Sequence, residues 1–144
     1  RVSPVLAYDG DKAGRRATIK GIRVWLAEGV VCKVAKIPLD RDPGMLIAGG
    51  KDKAGTWIDP DLDTWHRVID NAGSGLDVLA ARWGRMAKED RRATGAEIAE
   101  VISEISDPIL ADEVCRVGSA AAKVAEGLTR RSGTICSAKS QRNF

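Results

Sequence analysis

Two aspartates one residue apart, Asp9 and Asp11, close an apolar run in the string VLAYDGDKAGRRA over residues 5–17. Residues two apart in an extended segment project to the same side, so both carboxylates point together with only Gly10 between them. Anions that close repel, and a divalent cation is the group that relieves them most readily. Magnesium, or manganese, suits such a pair, because it takes one or two carboxylates and keeps positions for water and phosphate oxygens. The plainer role is capping a helix that opens at Lys12. One aspartate suffices for that, which leaves the other to be explained. Downstream, Lys12, Arg16, Lys20 and Arg23 recur at spacings of four, four and three, which puts them on one helical face with Arg15 at its edge. Such a face meets phosphates or is simply solvated.

The elements that must position these groups are legible in the surrounding pattern. VSPVLAY reads as a strand, and a helix follows from Asp11 or Lys12 to about Glu28, with Gly29 as its left-handed C-cap. VVCKVAKI, residues 30–37, is a second strand rich in β-branched residues. Strand, helix, strand over so short a span is a βαβ unit with parallel strands. Functional groups in an open parallel sheet gather beyond the carboxyl ends of the strands, which is where Asp9 and Asp11 stand. A loop, a short helix from Pro43 and a double-glycine stop come next.

From about Trp57 the strand signal fades. Leu76, Leu79, Trp83 and Met86 recur at helical spacing. TGAE at 94–97 has the form of a capping box, with Thr94 as cap, and its helix continues through Ile98, Val101, Ile102 and Ile105. Asp107-Pro108 opens another helix, ending near Gly127, before a basic tail with Arg130, Arg131, Lys139 and Arg142. The expected fold is therefore α/β: an α/β unit over residues 1–58, an all-α subdomain over 59–128, and a tail over 129–144.

Composition narrows the function classes. A net charge of +3 and 44% hydrophobic residues are ordinary for a globular chain. No run of about 18 apolar residues is present, so no membrane span is expected. Three cysteines, Cys32, Cys115 and Cys136, lie far apart, and His66 is the sole histidine. That excludes a zinc site of ordinary spacing and points away from a disulfide framework, towards a reduced intracellular (cytoplasmic) setting. Trp25, Trp65 and Trp83 fall at core-like helical positions, whereas Trp57 is the tryptophan to examine for base stacking. The opening on Arg1, running straight into a strand, gives the expectation of a piece of a longer protein.

The string VLAYDGDKAGRRA resembles the acidic motif of the TOPRIM domain, in its bacterial-type DNA primase form: apolar strand, D-G-D-x-A-G, a basic residue, alanine. IPLDRDPGMLIAGGKDKAGTW, residues 37–57, is similar to the primase segment that carries a D-P-D group, a short helix and a lysine-rich turn. VISEISDPILADEVCRVGSAAAKVAEG is similar in layout to the helical subdomain that closes the primase polymerase domain. The resemblance implies a partial TOPRIM followed by that helical subdomain. It implies catalytic and metal-binding roles for Asp9 and Asp11, with Asp42, the first aspartate of D-P-D, as a further Mg2+ or Mn2+ ligand. Asp42 before Pro43 is equally an expected helix N-cap. The second aspartate of D-P-D is Gly44 here, a departure that removes one carboxylate.

The implied activity is primer synthesis by nucleotidyl transfer. The implied partners are nucleoside triphosphates, a single-stranded DNA template, the remainder of the polymerase domain and a replicative helicase. Lys12, Arg15, Arg16, Lys20 and Arg23 would then face nucleotide or template phosphates. Primases of this type carry a catalytic glutamate on an earlier strand, which this sequence lacks, so the chain alone is expected to be inactive. Two alternatives stay open: another TOPRIM nucleic-acid enzyme (a nuclease or a topoisomerase), or a non-catalytic primase remnant that binds DNA or a helicase. The lone tyrosine, Tyr8, lies in the first strand and argues against a topoisomerase.

Overall fold

The computed structural model describes residues 3–39 and 41–123. The tail and the expected helix end near Gly127 lie outside the described residues. The chain divides into two compact units: Arg1–Ile22 with Val31–Gly75, and Arg23–Val30 with Leu76–Phe144. By this division the helix over Lys12–Ala27 contributes residues to both units.

In the first unit, strand β1 (Val5–Leu6) leads into helix α1 (Lys12–Ala27) and then strand β2 (Lys33–Val34). β1 and β2 are parallel, with Val5 opposite Lys33 and Leu6 opposite Val34, as a βαβ unit requires. α1 stops at Gly29, whose φ of 74° is the left-handed value expected of its cap. Helix α2 (Pro43–Ala48) is followed by a hairpin of β3 (Gly50–Lys51) and β4 (Trp57–Ile58), and then by helix α3 (Leu62–Asp70). β5 (Gly73–Ser74) adds antiparallel to the other edge of β2. Ile22, Cys32, Val34, Ile37 and Leu46 are buried here.

The hairpin and β5 fall where sequence pattern implied no strand. Each strand is two residues long, too short to show a period, and Gly73-Ser74 carries no branched or aromatic side chain. Backbone bonding makes β5 instead: the Gly75 N–H donates to the Cys32 carbonyl at 2.8 Å.

The second unit is helical. α5 (Arg91–Glu104) and α6 (Pro108–Lys123) pack on one another, and α4 (Gly75–Glu89) is bonded to α5 through Arg82 and Trp83. Leu26, Leu79, Trp83, Ile98, Val101, Ile102, Ile105 and Val114 form its core. At Gly118 of α6 an added Cβ would come within 2.9 Å of Ile98 Cγ2, so α5 and α6 approach closely there.

The expected capping box at Thr94 is not how α5 begins. Asp90 is the N-cap, its side chain accepting from the Ala93 N–H at 2.9 Å. Thr94 lies inside the helix, fully buried, and its hydroxyl donates to the Asp90 carbonyl at 2.8 Å. Glu97 is drawn away from the cap by Arg82, whose Nε donates to Glu97 Oε1 at 2.8 Å and whose Nη2 donates to Oε2 at 2.9 Å. Trp83 Nε1 donates to Oε1 as well, at 3.2 Å. A bidentate guanidinium partner outcompetes a single backbone N–H for a carboxylate. Asp107 does cap α6, accepting from the Ile109 N–H at 2.8 Å. Cys32 is a free, buried thiol, and burial pushes its pKa up. Cys115 is disulfide-bonded, where the cysteine spacing had pointed away from a disulfide framework. Among the described residues, no helix is long and apolar enough to cross a membrane.

Candidate functional site

The turn from β1 into α1 is shaped by two glycines. A Cβ on Gly14 would sit 1.9 Å from the Asp9 carbonyl oxygen, and one on Gly10 would sit 2.7 Å from the Ile37 carbonyl oxygen. Neither contact can be relieved by a side-chain shift, because both neighbours are backbone. The Asp9 main chain therefore folds onto the first turn of α1, while Gly10 lies against the segment that leaves β2. Only glycine allows both approaches.

Within this turn the two aspartates part company. Asp11 Oδ1 accepts from the Gly14 N–H at 2.7 Å, and its carbonyl accepts from the Arg15 N–H at 3.0 Å, so Asp11 takes the capping role. Asp9 is exposed, and among the described residues its carboxylate makes no hydrogen bond or ion pair. The turn thus presents one carboxylate entire and a second with Oδ2 outside the capping bond.

Asp42 behaves as the helix-cap expectation describes. Its backbone is extended, with φ −107° and ψ 163°, and its Oδ1 accepts from the Met45 N–H at 2.7 Å. An added Cβ at Gly44 would lie 3.0 Å from the same oxygen, so glycine there leaves the cap uncrowded. Among the described residues, no three His, Cys, Asp or Glu side chains gather as a group that could hold a metal ion. Asp9, Asp11 and Asp42 are accordingly not gathered as such a group, and Asp42 places Oδ1 on the first turn of α2.

The basic face of α1 divides in the same way. Lys12, Arg16 and Lys20 are exposed and unpaired among the described residues. Arg15, also exposed, reaches back so that its Nη1 donates to the Gly10 carbonyl at 3.0 Å. Arg23 is spent elsewhere. Its Nη2 donates to Glu100 Oε1 at 2.8 Å and to Glu104 Oε1 at 2.5 Å, both on α5. The Glu104 and Glu100 hydrogen bonds raise its pKa still further above the ordinary guanidinium value. Arg23 therefore ties the C-terminal turns of α1 to α5, and Lys12, Arg15, Arg16 and Lys20 are the members of this basic face that stay exposed.

A second exposed feature stands in the first unit. Trp57 is 59% exposed, and its Nε1 donates to Asp59 Oδ1 at 3.0 Å. The sequence marked Trp57 as the tryptophan to examine for base stacking; its place in a strand comes from pairing with β3. Trp83 is fully buried, as its helical position implied.

No family model matches this chain, and no curated protein matches it. Among solved structures it is similar to the Aquifex aeolicus primase (zinc binding and RNA polymerase domains), with a TM-score of 0.53 and 23% identity. The match covers 81% of this chain and 25% of that one. The chain thus spans about a quarter of the structure it matches and shares a primase-like fold with that part.

Proposed function

We propose that this chain is the metal-carrying part of a primase-type nucleotidyltransferase, with Asp9 and Asp11 as the residues that hold Mg2+ or Mn2+. One observation carries the reading. A glycine-shaped turn at the carboxyl end of a parallel strand leaves the Asp9 carboxylate unpartnered beside an Asp11 that caps with one oxygen only. A carboxylate left with no partner among the described residues fits a hard cation. The fold shared with a primase and the D-G-D-x-A-G string support the same assignment.

In this function the bound metal supplies charge neutralisation at a phosphoryl group. The chain's own residues do the rest. Asp9 and Asp11 fix the cation at the strand end. Lys12, Arg15, Arg16 and Lys20 line the following helix and draw in the triphosphate or the template strand's phosphates. Asp42, with Oδ1 held by α2, is the carboxylate this reading would recruit through its other oxygen. Because Gly44 offers no carboxylate, the chain alone aligns metal and nucleotide poorly. Misalignment of about 1 Å costs on the order of a hundredfold in rate, so isolated chain binds metal–nucleotide weakly and makes no primers. The template, a replicative helicase, the rest of the polymerase domain and an intracellular setting belong to this same proposal.

The test is calorimetric titration of Mn2+, with and without nucleoside triphosphate, into wild type, Asp9→Asn and Asp11→Asn. Both variants lose most of the binding. Undiminished binding in both removes the pair from the site. The ungathered third carboxylate favours one second reading, a primase-derived module that binds nucleic acid without catalysis. It predicts DNA binding that Asp9→Asn leaves unchanged, together with no metal binding at all.

A further inference from the structure

The β3–β4 hairpin of the first unit carries the largest aromatic surface that the described fold leaves in water. Its two strands pair antiparallel, with Lys51 directly opposite Trp57 and Gly50 opposite Ile58. Directly opposed residues share a face, with Cβ atoms about 5 Å apart, so the Lys51 side chain stands beside the indole. The hairpin is internally braced. Asp52 Oδ1 accepts from the Ala54 N–H at 2.9 Å and the Thr56 N–H at 2.8 Å, and the Gly55 N–H donates to the Asp52 carbonyl at 3.0 Å. Gly55 takes the left-handed conformation that closes this turn, with φ 83°. Asp59 pins the indole edge through its N–H.

The charges sort themselves accordingly. Both acidic groups of the hairpin region, Asp52 and Asp59, are engaged with donors of their own. Lys51 and Lys53 are exposed and make no hydrogen bond or ion pair among the described residues. What remains open is a π-face with its one polar atom satisfied, with one free ammonium group directly across the ladder and a second in the adjoining turn. A ring in that state asks for a stacking partner rather than a hydrogen bond, and the ammonium groups ask for an anion one backbone step away. A nucleobase attached to its phosphate supplies both. Aromatic platforms beside positive charge are how single strands are held without regard to sequence.

We infer that Trp57 on the β3–β4 hairpin is a stacking platform for one base of a single-stranded nucleic acid, with Lys51 and Lys53 contacting the adjoining phosphates. This contact stands apart from the Asp9–Asp11 pair and needs no metal. It rests on the nucleic-acid side of the proposed function, and its test is arranged to fail separately from the metal test.

The probe is a thymidylate oligonucleotide of about ten residues, within single-strand site sizes, titrated into the full chain at low salt with EDTA present. Binding quenches tryptophan fluorescence. Trp57→Phe abolishes most of that quench yet holds affinity within about threefold, because phenylalanine retains a π-face. Trp57→Ala weakens binding roughly 5- to 150-fold, the equivalent of about 1–3 kcal/mol per stacked base. Lys51→Gln lowers the slope of log affinity against log salt by about 0.7. Circular dichroism and a urea midpoint establish that each variant is folded; should Trp57→Ala unfold, Trp57→Phe and Lys51→Gln carry the test.

No binding in EDTA, or equal affinity for wild type and folded Trp57→Ala, overturns the inference. A Trp57→Ala variant that binds normally but sediments differently identifies the face as a protein contact, and that also overturns it. Because EDTA strips any divalent cation, these values do not depend on the Asp9–Asp11 pair holding metal, so failure here and failure of the Mn2+ titration are told apart.

Discussion

The ion pairs of the two compact units do different work. In the helical unit, Arg23 is held by Glu100 and Glu104, and Arg82 grips Glu97 through Nε and Nη2 while Trp83 donates to the same carboxylate. Those charges serve to lock helices to one another. In the β-containing unit, Asp9, Lys12, Arg16, Lys20, Lys51 and Lys53 point to solvent with no partner among the described residues. The ion pair there that does form, Arg41 with Asp61, spans 3.6 Å and is half-exposed. Surface pairs of that kind contribute about 0–1 kcal/mol. The helical unit also leaves Arg85, Lys88, Glu89 and Arg92 exposed with no partner among the described residues, so free charge alone marks no site; the difference lies in the ion pairs, which join helix to helix in that unit and two loop residues, Arg41 and Asp61, in the other.

The largest expected effect lies in the helical unit. Trp83 is completely buried and bonded to Glu97, so Trp83→Ala costs about 3–5 kcal/mol, read as a lower urea midpoint. A loss under 1 kcal/mol would break the picture of a unit held by this tryptophan. Next comes the turn that shapes the site. Gly14→Ala forces a Cβ against the Asp9 carbonyl and costs about 1–3 kcal/mol. Mn2+ affinity should fall with it, even where the variant stays folded in calorimetry.

A smaller effect is pH-dependent. The Arg82 hydrogen bond holds the Glu97 carboxyl below the usual range, partly opposed by desolvation. A depressed carboxylate contributes stability that is present above its unfolded value, about 4.3, and is lost as pH falls through the folded value. Thermal melts should therefore show extra destabilisation below about pH 4.3 that Glu97→Gln removes. A variant with an unchanged acid limb would detach Glu97 from the fold's stability. Smallest of all is Asp9→Asn. Because Asp9 supports nothing in the described structure, its replacement shifts stability by no more than about 0.5 kcal/mol. A large loss would show that Asp9 is structural and would sharpen the comparison against the metal reading.

Much of this division was legible in the chain. The D-G-D string after an apolar run, the β-branched second strand, Gly29, Pro43 and Asp107-Pro108 are local signals, and local chemistry is sufficient for them: a cap needs only its own next three residues, and a parallel βαβ turn needs only its strand, helix and strand. The cap at Thr94 was misplaced and β5 was missed for one reason. Both depended on partners far along the chain: Cys32, which receives Gly75 and so draws β5 into the sheet, and Arg82, which takes Glu97 out of its box.

The sequence by itself determined which residue types stand at the strand end, and hence that two carboxylates and a basic helix face are available there. Only the tertiary structure decided which of them are still free. Asp11 and Asp42 each place one oxygen on a backbone N–H, Arg23 is taken by two glutamates some eighty residues away, and Asp9, Lys12, Arg16 and Lys20 are left over. The physical reason is competition. A charged group binds whichever partner lies within about 3 Å in the right direction, and for Arg23 no reading of neighbours along the chain reveals that partner.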